Sequence, residues 1–136
     1  MSRATVERAI LDTGVVIGPT AAPIPGILAI SAATLAELHF GVLVAKSPAV
    51  RAERLRRLSV IQRHFDALPI DDSVAASYGQ LAAAVVDMGR QPRRRTMDLL
   101  IAATAHSHGA SLVTSNPDDF AGLESLIDIV AVQTAT

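Results

Sequence analysis

Short apolar runs alternate along this chain with stretches of helical character, and no tight hairpin signal such as Asn-Gly joins two of them. Runs that cannot pair as hairpins pair as parallel strands, with helices as the crossovers. The alternation therefore predicts an α/β fold in which a central parallel sheet carries helices on both faces. At 136 residues the chain suits one such domain, with roughly two-thirds of its unfolded surface buried. No internal repeat or interdomain linker divides it.

Taken in order, Glu7 to Leu11 reads as the first strand, running into Asp12-Thr13-Gly14. A brief helical turn over Val15 to Gly18 and a Pro- and Ala-rich loop over Pro19 to Gly26 follow. Ile27 to Ile30 is a buried strand, and Ser31 caps a helix through about Lys46 with Leu35, Leu38, Val42 and Ala45 inward. A helix from about Val50 to Asp66 turns Leu55, Leu58, Ile61, Gln62 and Phe65 inward and its arginines to solvent. Ala67 to Ile70 is a short strand, and a helix capped by Asp71 or Asp72 runs to Met88, where Gly89 stops it. Beyond the Gln91-Pro92 loop, an almost wholly apolar helix capped by Thr96 ends at Gly109. Ser111 to Thr114 is a strand, Asn116 to Phe120 a short turn, and Ile127 to Val132 a last strand.

Ligands of an open parallel sheet bind beyond the carboxyl ends of its strands, and that rule sorts the thirteen acids. Asp12 directly follows the first strand, and Asp119 lies in the loop after the Ser111 to Thr114 strand. Glu37 falls about two turns into the helix after the second strand. Asp98 opens the apolar helix and shares a face with Ile101, Ala102 and Ala105, where a carboxylate is costly unless a metal, a cation or donated hydrogen bonds compensate it. Hard oxygen ligands of this kind suit Mg²⁺ or Mn²⁺.

Each acid also has a purely structural account. Asp12 fits an Asx-type turn, Glu37 a capping box with Thr34, Asp98 the first turn of a helix, and Asn116-Pro117-Asp118-Asp119 a capped turn. His106 and His108, two residues apart, do not share a helix face and read as surface residues.

Composition narrows the function classes. With no cysteine there is neither disulfide, thiolate nucleophile nor Cys-based zinc site. No stretch reaches the ~18 uncharged apolar residues of a membrane span, and Met1 to Arg8 lacks the apolar core of a signal peptide, so the expected address is cytoplasmic. A net charge of −1 excludes a nucleic-acid binder held by bulk charge but not one with local basic patches. Arg93, Arg94 and Arg95 form such a patch just ahead of Asp98, placed to hold phosphates.

Four segments in this order resemble the motifs of PIN-domain proteins: Ile10 to Thr13, Ile30 to Leu38, Asp98 to Ala105, and Leu112 to Phe120. Within that family the likeness is to the VapC-type toxins of bacterial toxin–antitoxin pairs, and it spans Ile10 to Phe120. The resemblance implies a single PIN-like domain and an endoribonuclease that hydrolyses RNA phosphodiesters with a metal-activated water. Asp12, Glu37, Asp98 and Asp119 would be its acidic quartet and its Mg²⁺ or Mn²⁺ ligands. Asn116 stands where many PIN domains place another Asp, so it competes with Asp119 for the fourth role. Thr13 and Thr114 would orient carboxylates, as would Asn116 if Asp119 is the ligand. A cognate VapB-like antitoxin, an RNA substrate and a homodimer are the implied partners. The short Asp12 to Glu37 segment predicts a truncated first helix, and several extra residues precede the first strand.

Two other readings compete. A nucleotide-binding or signalling module with Asp12 as phosphoacceptor lacks a Gly-rich phosphate loop and a lysine after a late strand. A catalytically inactive PIN-fold interaction protein would not need these carboxylates at all.

Overall fold

The computed structural model describes residues 7–19 and 23–133. The features read from residues 1–6, and the middle of the Pro19 to Gly26 loop, lie outside the described residues. Among the described residues five strands form one parallel sheet: β1 (Arg8–Leu11), β2 (Ile27–Ser31), β3 (Asp66–Leu68), β4 (Ser111–Thr114) and β5 (Ile129–Ala131). Their order is β3-β2-β1-β4-β5. The chain steps outward from β1 to β3, then returns to β1's other side, so the topological switch falls between β1 and β4. That is where an open α/β sheet leaves a crevice for ligands.

Among the described residues five α-helices fill the connections: α1 (Thr13–Ile17), α2 (Ala32–Leu43), α3 (Pro48–His64), α4 (Asp72–Asp87) and α5 (Thr96–Ser107). Successive residues of the central strands feed two separate cores, as the pleat requires. Ile10 and Leu112 pack with Val74, Leu81, Leu99 and Ile101 of α4 and α5. Ala9, Leu11, Ile30 and Val113 pack with Val15 and Ile61, which belong to α1 and α3. The expected helices on both faces are thus present. Helix α5 is buried on nearly all sides, since Ile101, Ala102, Ala103, Thr104 and Ala105 are fully inaccessible. An all-round apolar helix belongs inside, and its alanines let α4 approach closely.

The boundaries differ where turn chemistry outranks periodicity. Ser47 is extended and caps α3 by accepting from Val50 N, which puts Pro48 in the first turn rather than ahead of the helix. Helix α2 therefore stops at Leu43, short of Lys46. Strand β3 starts at Asp66, because its ladder with β2 pairs Ala29 with Asp66 and Ser31 with Leu68. Thr96 is not a cap: Pro92–Arg95 form a 3-10 turn that runs straight into α5, and Thr96 is the first helical residue. Of the stripe assigned to α3 only Leu58 and Ile61 are buried, while Leu55 is 52 % exposed. As expected, the first helix is truncated, to five residues. Gly26 leads into β2 at φ +112°, where a Cβ would lie 2.5 Å from the Glu7 carbonyl oxygen, so only glycine fits.

Candidate active site

Asp12 leaves β1 directly into α1, and its backbone N–H stays bonded to the Val113 carbonyl of β4 at 2.9 Å. This fixes the residue at the switch point. Its carboxylate is buried and doubly held: Oδ1 accepts from Thr13 N at 2.9 Å and Oδ2 from Thr114 Oγ1 at 2.8 Å. Asp12 is thus the cap of α1, bonded to the next residue's N–H and not to the one two residues on that an Asx turn would use. Thr114 also accepts from Asn116 N at 3.0 Å, which ties the loop after β4 to the carboxylate before α1.

Glu37 comes from α2. Ser31 caps that helix by accepting from Ala33 N, which leaves Glu37 outside any capping box. Its Oε1 instead accepts from Thr13 Oγ1 at 2.6 Å. Thr13 Oγ1 also lies 3.0 Å from Thr34 Oγ1. A hydroxyl has one hydrogen, and Thr13's goes to the carboxylate, so Thr34 donates to Thr13. Thr34 is fully buried and was not anticipated as part of the site. The sequence did carry a signal, a Thr three residues before Glu37, but that spacing reads first as a cap.

Asp98 enters from the first turn of α5, half-buried. Among the described residues no hydrogen bond reaches its carboxylate. Burial pushes its pKa up to about 6, and the negative charges of Asp12, Asp119 and Glu37 add to the rise, while Arg95 opposes it. The four acids from four separate segments thus share one electrostatic field. Asp119 lies in the Pro117–Phe120 3-10 turn, where Arg95 Nη1 donates to its carbonyl at 2.6 Å and sits 3.7 Å from its Oδ1. Asn116 is exposed, and its side chain makes no cap bond.

The three arginines of the patch separate. Arg95 reaches into the site, whereas Arg93 and Arg94 are exposed on the 3-10 turn. His106 is more than a surface residue, because its Nδ1 lies 2.7 Å from Ser77 Oγ of α4.

The donor chemistry fits a hard divalent cation. Among the described residues, no three His, Asp or Glu side chains are gathered tightly enough to hold one ion together. Mg²⁺ commonly keeps several waters and takes only one or two carboxylates, so an open group is compatible with it. An unbonded, half-buried carboxylate beside three others is the feature that a cation would relieve most.

This parallel sheet with acids at its switch point places the protein in a family. A PIN domain matches residues 9–125, and the chain belongs to the PIN-domain family. It is 35% identical to ribonuclease VapC5 of Mycobacterium tuberculosis, over 95% of this chain and 97% of that one. It is 36% identical to ribonuclease VapC4 of the same organism, over 83% of this chain and 89% of that one. Among solved structures, it is similar to that of VapBC-5 from Mycobacterium tuberculosis, a member of the VapBC family of toxin–antitoxin systems. That match has a TM-score of 0.81 and 37% identity, covering 92% of this chain and 98% of that one.

Proposed function

We propose that this protein is a metal-dependent endoribonuclease, the toxin of a toxin–antitoxin pair. The observation that carries the reading is Asp98: a carboxylate with no hydrogen bond among the described residues, raised to about 6 by burial and by three neighbouring acids, at the sheet's switch point. A carboxylate in such a field is relieved by donated hydrogen bonds or by a cation. The similarity to proteins named ribonucleases supplies the substrate class.

Asp12, Glu37, Asp98 and Asp119 would hold Mg²⁺ or Mn²⁺. When bound, the ion would lower the pKa of a ligated water and offset the charge of the phosphodiester. Thr114 orients Asp12, and Thr13, backed by Thr34, orients Glu37. Rigid carboxylates fix where the cation and attacking water sit, which is the protein's main contribution to such chemistry. Arg95 lies beside Asp119, positioned to take a phosphate oxygen, and Arg93 and Arg94 extend the positive rim. The contribution of the Asp119 charge to the rise at Asp98 supports Asp119 over Asn116 as the fourth member of the site. Hydrolysis by water in this arrangement leaves a 5′-phosphate and a 3′-hydroxyl. The VapBC similarity makes an antitoxin the expected protein partner, and we extend the proposal to a homodimer acting in the cytoplasm. No helix among the described residues is long and apolar enough to cross a membrane.

The open spacing of the acids favours one rival, an inactive PIN-fold interaction protein. Purified, antitoxin-free protein incubated with total RNA and Mn²⁺ separates the two. Cleavage abolished by EDTA and by Asp98→Asn supports the nuclease. A folded wild type that neither cuts RNA nor binds Mn²⁺ would leave the scaffold reading.

A further inference from the structure

Beyond Glu37, on the side away from Asp98's helix, a cleft of about 410 Å³ opens between α1, α2 and α3. Thr13 and Glu37 form one end of it, so it is continuous with the acidic group. Leu38, Leu58 and Ile61 make its walls apolar. Two arginines of α3 line it, and both are held in place across it. Arg54 Nη1 donates to the Gly41 carbonyl of α2 at 2.6 Å, and Arg57 Nη2 donates to the Ile17 carbonyl of α1 at 2.8 Å. Neither is in an ion pair among the described residues. A guanidinium has five N–H donors, so each retains several for a ligand.

Gly41 supplies an independent sign that this space is kept open. It lies within α2, where glycine costs up to about 1 kcal/mol relative to alanine. No close backbone approach requires it, because a Cβ there would meet nothing within 4 Å. Its absent side chain leaves the cleft wall clear.

We infer that this cleft is a nucleotide subsite, taking the residue of a single-stranded RNA next to the scissile bond. The inference rests on the ribonuclease reading of the acidic group. An apolar slot with a few fixed polar groups is the usual form of a small-ligand site. Single-stranded RNA offers splayed bases that lie between apolar or guanidinium faces, and phosphates that pair with arginine. An anion tethered to a flat apolar ring is what two fixed cations above an apolar slot select. The continuity with Glu37 orders the chain, with one phosphate at the carboxylates and the neighbouring nucleotide in the cleft.

The test measures binding of a short, labelled, single-stranded RNA of randomised sequence to full-length, antitoxin-free protein. Ca²⁺ replaces Mg²⁺, so that affinity is read without turnover. Arg54→Gln with Arg57→Gln should weaken binding about tenfold and flatten the salt dependence by about 0.7 in log–log slope per arginine, the single-strand value per phosphate contact. Gly41→Leu should also weaken binding about tenfold by filling the slot, yet keep the wild-type salt slope because no charge changes. Leucine is the better helix former, so its thermal midpoint should not fall, which guards against a folding artefact. Arg57→Lys should retain the slope and lose part of the affinity. Mn²⁺ binding, read by electron paramagnetic resonance, should match wild type in all variants.

Wild-type RNA affinity and slope in every variant, with wild-type cleavage intact, would overturn the cleft assignment and leave the nuclease standing. The cleft would then belong to a protein partner. A wild type that neither binds nor cuts RNA would overturn both.

Discussion

The two halves of the acidic group are built differently. On the β1 and α2 side, Asp12 and Glu37 are held by hydroxyls: Thr114 on one, Thr13 backed by Thr34 on the other. On the α5 side, the Asp98 carboxylate has no hydrogen bond among the described residues, and the Asp119 carboxylate has only a long contact with Arg95. One half is fixed before any ligand arrives, and the other stays electrostatically unrelieved. A hydrogen-bonded carboxylate keeps its charge at little cost, whereas an unbonded one beside three others does so at a cost that a counter-ion relieves. The difference assigns the fixed half to orientation and the strained half to cation affinity.

The largest effect should come from breaking the strained half. Asp98→Asn should reduce RNA cleavage by more than about 100-fold, beyond the 10–100-fold usual for groups that only support a ligand. Initial rates at saturating Mn²⁺ would check this. Removing support from the fixed half should cost less. Thr114→Val and Thr34→Val should each lower Mn²⁺ affinity or activity roughly 10–100-fold. Loss of the Thr34 hydrogen bond should also cost about 1 kcal/mol in a denaturant melt. Equal effects from Thr34→Val and a distant buried Thr→Val would mean that Thr34 acts only in the core.

The pH dependence of stability sharpens the same contrast. Asp98 has its pKa raised from an ordinary 3.8 to about 6, so between those values the folded state binds more protons than the unfolded state. Metal-free stability should therefore be highest below about pH 3.8 and fall as pH rises through about 6, as far as this group is concerned. Asp98→Asn should remove that decline and raise the thermal midpoint at pH 7, and Mn²⁺ should flatten the wild-type profile. The smallest effect should come from Arg95→Gln. Loss of its charge moves Asp98's midpoint further up, readable by carboxyl NMR titration, with little change in the melt.

Much of this site could be read from residue order because each acid sits at a fixed offset from a strand or helix that announces itself. Asp12 follows an apolar strand, Glu37 lies inside a helix begun by Ser31, and Asp98 opens a helix too apolar to be anywhere but inside. What could not be read depends on pairs distant in the chain. Thr34 matters through Thr13, twenty-one residues earlier, and its local spacing pointed instead to a cap. The contacts of Arg54 and Arg57 were also out of reach. Both are exposed, as helical periodicity placed them, but periodicity gave no sign that they reach back to carbonyls of α2 and α1. The 3-10 turn that brings Arg95 to Asp119 was equally hidden, because Thr96 offered a plausible cap one residue later.

The sequence by itself determined the layered parallel sheet, its helices on both faces, and the acids that lie near its carboxyl edge. Those follow from local periodicity and from the absence of hairpin turns, which nearest neighbours in the chain decide. The tertiary structure alone decided the strand order β3-β2-β1-β4-β5, and with it the crevice between β1 and β4. It also decided which hydroxyl holds which carboxylate, which carboxylate is left unbonded, and which arginines face a cleft. Hydrogen bonds and electrostatic fields act over a few ångströms of space, and spacing along the chain does not encode which segments come that close.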